Sequence, residues 1–167
     1  MFELKLLSTS GIPGALAKAE RYRLLNQPWE AECIYRDVLD VDLGNQEAII
    51  GLVLAITDQF ESGLSDGVTK AREVLPRIQD EYQRAYYAGI ICERRAKVLL
   101  HGARPGSGGM AHALLSEARD WYARAETLRP PGNDDVLLRW NACARLLMRH
   151  PLAAVAATAS FHPYSDS

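Results

Sequence analysis

Cysteine is scarce in this sequence. Only Cys33, Cys92 and Cys143 occur among 167 residues, and they lie far apart along the chain. No two of them have the CxxC spacing, and an odd number cannot all pair with one another. The pattern argues against both a disulfide framework and a structural zinc site. We therefore predict that all three pack as small, buried apolar residues in a protein of the reducing cytoplasm.

Long apolar runs and an excess of one charge are also absent. No stretch approaches the roughly 18 apolar residues of a membrane span, and the segment MFELKLLSTSGIPG lacks the features of a secretory signal. The 19 basic residues are balanced by 21 acidic ones, for a formal net charge of −2. This balance gives no general attraction to nucleic acids or anionic membranes. We expect a cytoplasmic protein that does not associate with membranes.

Patterns that would carry catalysis or hold a metal are missing. None of the four histidines has a second His or a Cys at helical spacing, and there is no GxSxG motif. The loop at 102–109 (GARPGSGG) lacks the GK[ST] of a phosphate-binding loop. Glu117 and Asp120 share a helix face, but the neighbouring Arg119 and Arg124 favour ionised surface carboxylates. We predict no catalytic, cofactor or metal site, and hence no enzyme.

Helical periodicity runs through nearly the whole chain, without the two-residue alternation of strands. We predict an all-α protein of seven or eight helices, the longest from about 80 to 100. Pro28 suits the first turn of a helix, and Asn45 and Asn133 suit N-caps. Pro76 either kinks one helix or begins the next. Residues 12–150 form the predicted domain, with a flexible insertion near 101–110; residues 1–11 are a lead-in, and residues 151–167 an Ala-rich helix or a loose tail.

A spacing of small and aromatic residues recurs along the chain. Ala118, Tyr122 and Ala125 are separated by four and three residues, and the same intervals separate Ala31, Tyr35 and Val38; Ala71, Leu75 and Ile78 form a weaker copy. The helices before these copies share a second spacing, of three, one and three residues. Its copies are Ala85, Ala88, Gly89 and Cys92; Ile49, Leu52, Val53 and Ile56; Ala15, Lys18, Ala19 and Tyr22; and Leu137, Trp140, Asn141 and Ala144.

Together the two spacings resemble the tetratricopeptide repeat (TPR) family, whose helix–turn–helix repeat of about 34 residues places small and aromatic residues at these intervals. The resemblance covers roughly residues 12–148 as three degenerate repeats and a closing helix, with extra residues in the second and third repeats. It implies a right-handed α-solenoid of about three helix pairs. Pro130, after the best copy, matches the proline that ends the family's second helix.

The resemblance implies a non-catalytic interaction module that binds a peptide or helix of a partner protein in a concave groove. Leu16 and Glu20 occupy first-helix positions where chaperone-binding members carry Lys and Asn, which argues against a carboxylate clamp. Tyr86 or Tyr87 would anchor the partner, one of the pair being exposed and the other packed in the core. The groove residues would be Leu16, Glu20, Arg23, Ile50, Leu54, Asp58, Tyr86, Ile90, Glu93, Arg94, Leu138 and Arg145.

Other functions remain open from the sequence. The basic, glycine-rich segment Arg94–Met110 would suit a small helical ligand-binding protein or enzyme, and a nucleic-acid adaptor is a weaker alternative. Self-association is also compatible with the pattern, because the apolar outer side of the last helix needs a cover. Either the tail after Pro151 or a second copy would supply it. The identity of the partner does not follow from the sequence.

Overall fold

The structure, a computed structural model, describes residues 1–62, 66–102 and 104–151. Within these ranges the chain forms seven α-helices and no strand, which confirms the all-α prediction. The helices are α1 (Ile12–Leu24), α2 (Pro28–Val41), α3 (Gln46–Thr57), α4 (Gly67–Val74), α5 (Glu81–His101), α6 (Ser107–Glu126) and α7 (Asp135–Arg149). Short 3-10 turns occupy Thr9–Gly11, Phe60–Ser62 and Leu75–Arg77.

The chain divides into two compact units, Met1–Tyr87 and Ala88–Ser167, and the division falls inside α5. In the first unit α1 packs on α2 and α3, α2 packs on α3, and α3 packs on α4. Pro28 lies in the first turn of α2, as predicted. A backbone N–H at this position would have no acceptor within the helix, so proline, which lacks one, costs no hydrogen bond. Asn45 caps α3 by accepting a 2.9 Å hydrogen bond from the backbone N–H of Ala48, also as predicted.

In the first unit, α2 and α3 make a close contact. The Tyr35 side chain is buried, and its ring packs directly against the backbone of Gly51. A Cβ atom placed on Gly51 would lie only 2.3 Å from Cζ of that ring. Ala31 and Val38, which share the predicted spacing with Tyr35, are completely buried on the same face of α2. The predicted stripe is therefore the packing face of this helix.

The second unit repeats this contact with a different arrangement of helices. Tyr122 of α6 is completely buried, and its ring packs on Gly89 of α5, where an added Cβ would lie 2.4 Å from Cε1. Ala118 and Ala125 are fully buried beside Tyr122. Helix α6 also packs against α7. In the first unit the glycine lies on the helix that follows the tyrosine, whereas here it lies on the helix that precedes it.

Three local expectations differ from the structure. Ser107–Met110, expected in the flexible insertion, form the first turn of α6, which follows Gly106 at φ 79°. The N-cap residue of α7 is Asp134, although the Asn133 side chain does accept a 3.0 Å bond from the N–H of Asp135. Pro76 neither kinks nor begins an α-helix, because it lies in the 3-10 turn Leu75–Arg77. The tail expected beyond Pro151 lies outside the described residues.

The contact between Tyr35 and Gly51 predicts opposite effects of the same substitution at two helical glycines. Gly51→Ala should lower the free energy of unfolding by about 1–3 kcal/mol, because the methyl group forces the Tyr35 ring out of its place. Gly14→Ala in α1 meets nothing within 4 Å and should raise the free energy of unfolding by about 0.5–1 kcal/mol through helix propensity. Urea unfolding followed by circular dichroism measures both. Equal changes in the two variants would contradict the close contact.

Candidate partner-binding face

A buried carboxylate connects three helices of the second unit. Glu93 of α5 has no solvent exposure. Its Oε2 accepts a 2.6 Å hydrogen bond from the Tyr122 hydroxyl of α6. Its Oε1 accepts hydrogen bonds from Nζ of Lys97, one turn further along α5, and from Nη1 of Arg139 on α7, the latter at 3.3 Å. We call Glu93, Lys97, Tyr122 and Arg139 the Glu93 cluster.

Opposing effects set the ionisation of this cluster. Burial raises the pKa of Glu93, but hydrogen bonds from Lys97 and Tyr122 and the charges of Lys97 and Arg139 outweigh it and hold the pKa below its usual value. Burial, with the nearby Glu93 charge, raises the pKa of the Tyr122 hydroxyl. Burial is also the main cause that raises the pKa of the Cys143 thiol to about 12. At neutral pH Glu93 is therefore an anion, and Tyr122 and Cys143 keep their protons, an arrangement that holds helices together and does not suit proton transfer.

A basic depression lies beside the cluster. Its volume is about 340 Å³, and Lys97 of α5 lines it together with four residues of α7: Ala142, Arg145, Leu146 and Arg149. The four α7 residues have the i, i+3, i+4, i+7 spacing of one helix face. Three of the five side chains are cationic, while Ala142 and Leu146 supply apolar surface. No acidic residue occurs in residues 94–101 or 136–150, so the surrounding sequence adds no negative charge.

The predicted groove residues of the first unit include an ion pair between helices. Arg23 at the end of α1 donates a 2.7 Å hydrogen bond from Nε to Oδ2 of Asp58, which follows α3. Glu20 is exposed, but Leu16 is buried at 6 % exposure and does not reach the surface. The predicted position of Leu16 in an open groove is therefore not its position in this structure, because the residue belongs to the core of α1.

Half-buried apolar and aromatic side chains make up the rest of the first unit's predicted set. Ile50 and Leu54 of α3 are partly exposed. Tyr86 stacks on Tyr82 with ring centroids 5.9 Å apart and makes an edge contact with Tyr87 at 5.2 Å. Tyr86 and Tyr87 are both half-buried, so the expectation that one of them is exposed and the other lies in the core is not met.

The predicted groove residues of the second unit divide into buried and exposed groups. Ile90 and Glu93 have 1 % and 0 % exposure, so neither presents a side chain to a partner in this structure. They face inward because α5 is packed on the side that the sequence pattern assigned to the groove. Arg94 is half-buried, while Leu138 and Arg145 are exposed. Of these five residues, Arg145 lines the basic depression.

Four lining residues of the depression were not in the predicted set: Lys97, Ala142, Leu146 and Arg149. The sequence did contain a signal for them, since residues 94–116 lack acids and α7 carries no acid after Asp135. The sequence did not show which residues of α5 and α7 lie side by side, because more than thirty residues of chain separate the two helices. Glu117 and Asp120, by contrast, are exposed on α6.

The described residues show neither a metal-binding cluster nor a membrane-spanning helix. No group of three or more His, Cys, Asp or Glu side chains that could hold a metal ion occurs in residues 1–62, 66–102 or 104–151. Across the same part of the chain, no helix has the length and apolarity required to cross a membrane. None of the three cysteines is part of a disulfide bond; Cys92 and Cys143 are buried as predicted, whereas Cys33 is partly exposed.

Comparison of the chain with protein-family models, with curated proteins and with solved structures found no match.

The Glu93 cluster predicts an acid-sensitive contribution to stability. Because the folded-state pKa of Glu93 lies below its unfolded value of about 4.3, this contribution is complete above that pH and is lost as the pH falls through the folded pKa. Glu93→Gln should lower the free energy of unfolding at pH 7 by about 2–4 kcal/mol, because Lys97 and Arg139 lose their anion. It should also flatten the dependence of stability on pH below about pH 4.3. Urea unfolding at a series of pH values measures both effects.

The matched control is Asp120→Asn, which removes an exposed carboxylate of α6. This variant should change the free energy of unfolding by no more than about 0.5 kcal/mol. A Glu93→Gln variant as stable as Asp120→Asn, with an unchanged pH profile, would contradict the role given to the cluster.

Proposed function

We propose that this protein is a non-catalytic, TPR-like interaction module that captures a peptide or helix of a partner protein. The underlying architecture would be a right-handed α-solenoid of about three helix pairs with α7 as the closing helix. In such an array the first helix of each pair lines a concave surface, and the second helix packs behind it. A cytoplasmic location fits this role.

The observation that carries the proposal is the burial of the repeated small–aromatic spacing. Tyr35 and Tyr122 occupy the same place in the two best copies, and both rings pack on a glycine of a neighbouring helix. Small residues four before each tyrosine, Ala31 and Ala118, are completely buried. The glycine lies on the following helix for Tyr35 and on the preceding helix for Tyr122, so the shared features are the spacing and its burial, and these support a repeat architecture.

Partner capture would use the accessible part of the predicted groove. Leu16, Ile90 and Glu93 support the helices from inside, which leaves half-buried and exposed side chains to meet a partner. Tyr86 offers aromatic surface within its cluster of three tyrosines, and Arg94 offers a cation two turns further along the same helix. Tyrosine and arginine are the residue types that most often dominate the energy of protein interfaces.

Capture from a lysate of the producing cells tests this function. The immobilised full chain should retain at least one protein, identified by mass spectrometry, and Tyr86→Ala or Arg94→Ala should weaken its binding about tenfold or more. Arg124→Ala is the matched control, because Arg124 is exposed on α6, the second helix of its pair. Circular dichroism melting of each variant separates loss of binding from loss of fold. Undiminished capture by both groove variants would contradict the groove assignment, and no specific capture would contradict the function.

A further inference from the structure

The basic depression points to the chemistry of the partner. We propose that the depression lined by Lys97, Arg145 and Arg149 binds an acidic segment of a partner protein. In this complex, side-chain carboxylates of the segment pair with the cations, and an aliphatic side chain contacts Ala142 and Leu146. The proposal rests on the proposed interaction function and specifies one part of the surface that performs it.

Charge complementarity carries the choice of partner. Lys97 and Arg139 both bond to Glu93, and Arg145 and Arg149 add two more cations in the depression. Of the three cations that line the depression, Lys97 pairs with Glu93, so Arg145 and Arg149 leave an excess of two positive charges there. Because Glu93 is completely buried, it cannot reach out to neutralise the outer cations. A segment with several carboxylates supplies the missing negative charge, and desolvation at an apolar floor strengthens the pairing.

The shape and lining favour a peptide over a cofactor or a nucleic acid. A volume of about 340 Å³ is at the small end of ligand pockets, which suits a few side chains of an extended or helical segment. No aromatic residue is among the five that line the depression, whereas single-stranded nucleic acids are held largely by base stacking on aromatics. The nearby Trp140 of α7 is already covered by Arg119, whose Cζ lies 4.4 Å from its ring centroid.

The same cations have a second physical role that the experiment must separate from binding. Arg149 lies in the last turn of α7, where a positive charge also stabilises the helix by opposing its dipole. Arg21 also lies in the last turn of its helix, α1, and is likewise exposed. Arg21→Glu therefore reproduces the loss of dipole compensation at a site remote in sequence from the depression, and it serves as the matched control.

The test uses the full chain and a defined peptide probe. The probe is fluorescein-labelled, consists of two Glu-Glu-Leu-Glu-Glu-Leu repeats, and is amidated so that it has no terminal carboxylate. Fluorescence anisotropy should show that it binds at least about tenfold more tightly than the same peptide with Gln in place of Glu. The Arg145→Glu/Arg149→Glu double variant should lose about tenfold or more in affinity for the Glu probe, while Arg21→Glu should retain it. Added salt should weaken the binding of the Glu probe.

Several results would overturn the proposal. Equal binding of the Glu and Gln probes would show that the carboxylates do not contribute to binding. Unchanged binding by the Arg145→Glu/Arg149→Glu variant, with its fold verified by circular dichroism melting, would place the interaction elsewhere. A labelled single-stranded oligonucleotide that bound more tightly than the Glu probe and displaced it would assign the depression to nucleic acid.

Failure of the acidic-partner proposal can be distinguished from failure of the proposed function. If the immobilised chain captures a protein and the Glu probe fails to bind, the interaction module stands and the acidic partner is wrong. If the Glu probe binds and the captured protein is indifferent to Tyr86→Ala and Arg94→Ala, the depression stands and the assigned groove is wrong.

Discussion

Two tyrosine rings, each packed directly against a glycine, set how closely neighbouring helices approach in this protein. Tyr35 occupies the space beside Gly51, and Tyr122 occupies the space beside Gly89, where even one methyl group would overlap the ring. The alanines and valine on the same faces are buried because the helices are brought this close together. Each ring thus fixes a distance between backbones, and the surrounding side chains fill the remaining space.

Because both rings are buried, each hydroxyl group requires a polar environment. A charged side chain acts on the hydroxyl in both units, but its sign differs between them. The positive charge of Arg23, which pairs with Asp58, acts on the Tyr35 hydroxyl. The Tyr122 hydroxyl bonds to the Glu93 carboxylate, which pairs with Lys97 and Arg139. In the second arrangement the carboxylate is completely buried, whereas the side chains of Lys97 and Arg139 are both partly exposed. The Glu93 cluster therefore contributes both to packing within the second unit and to the basic surface beside it.

The sequence predicted the helices and the packing stripes, since periodicity, Pro28 and Asn45 act locally. It did not predict that Glu93 is buried, because an acidic residue is almost never fully buried unless paired, and its partners lie on α6 and α7, remote in sequence. The start of α6 was also missed. Glycines at 108 and 109 favour a loop, but the burial of Ala111 and Leu115 holds this segment in the helix. Tertiary contacts, and not local sequence preferences, therefore determine the burial of Glu93 and the start of α6.

Helical arrays in which each repeat touches only its neighbours commonly lose structure from an end, one element at a time. The carboxylate of Glu93 opposes the loss of single helices in the second unit, because it accepts hydrogen bonds from both α6 and α7. Separation of α7 removes Arg139 from a charge that stays buried, and separation of α6 removes the Tyr122 hydroxyl. Either partial opening leaves a buried anion with fewer donors, an unfavourable state compared with full opening to water. We therefore expect the three helices to unfold cooperatively.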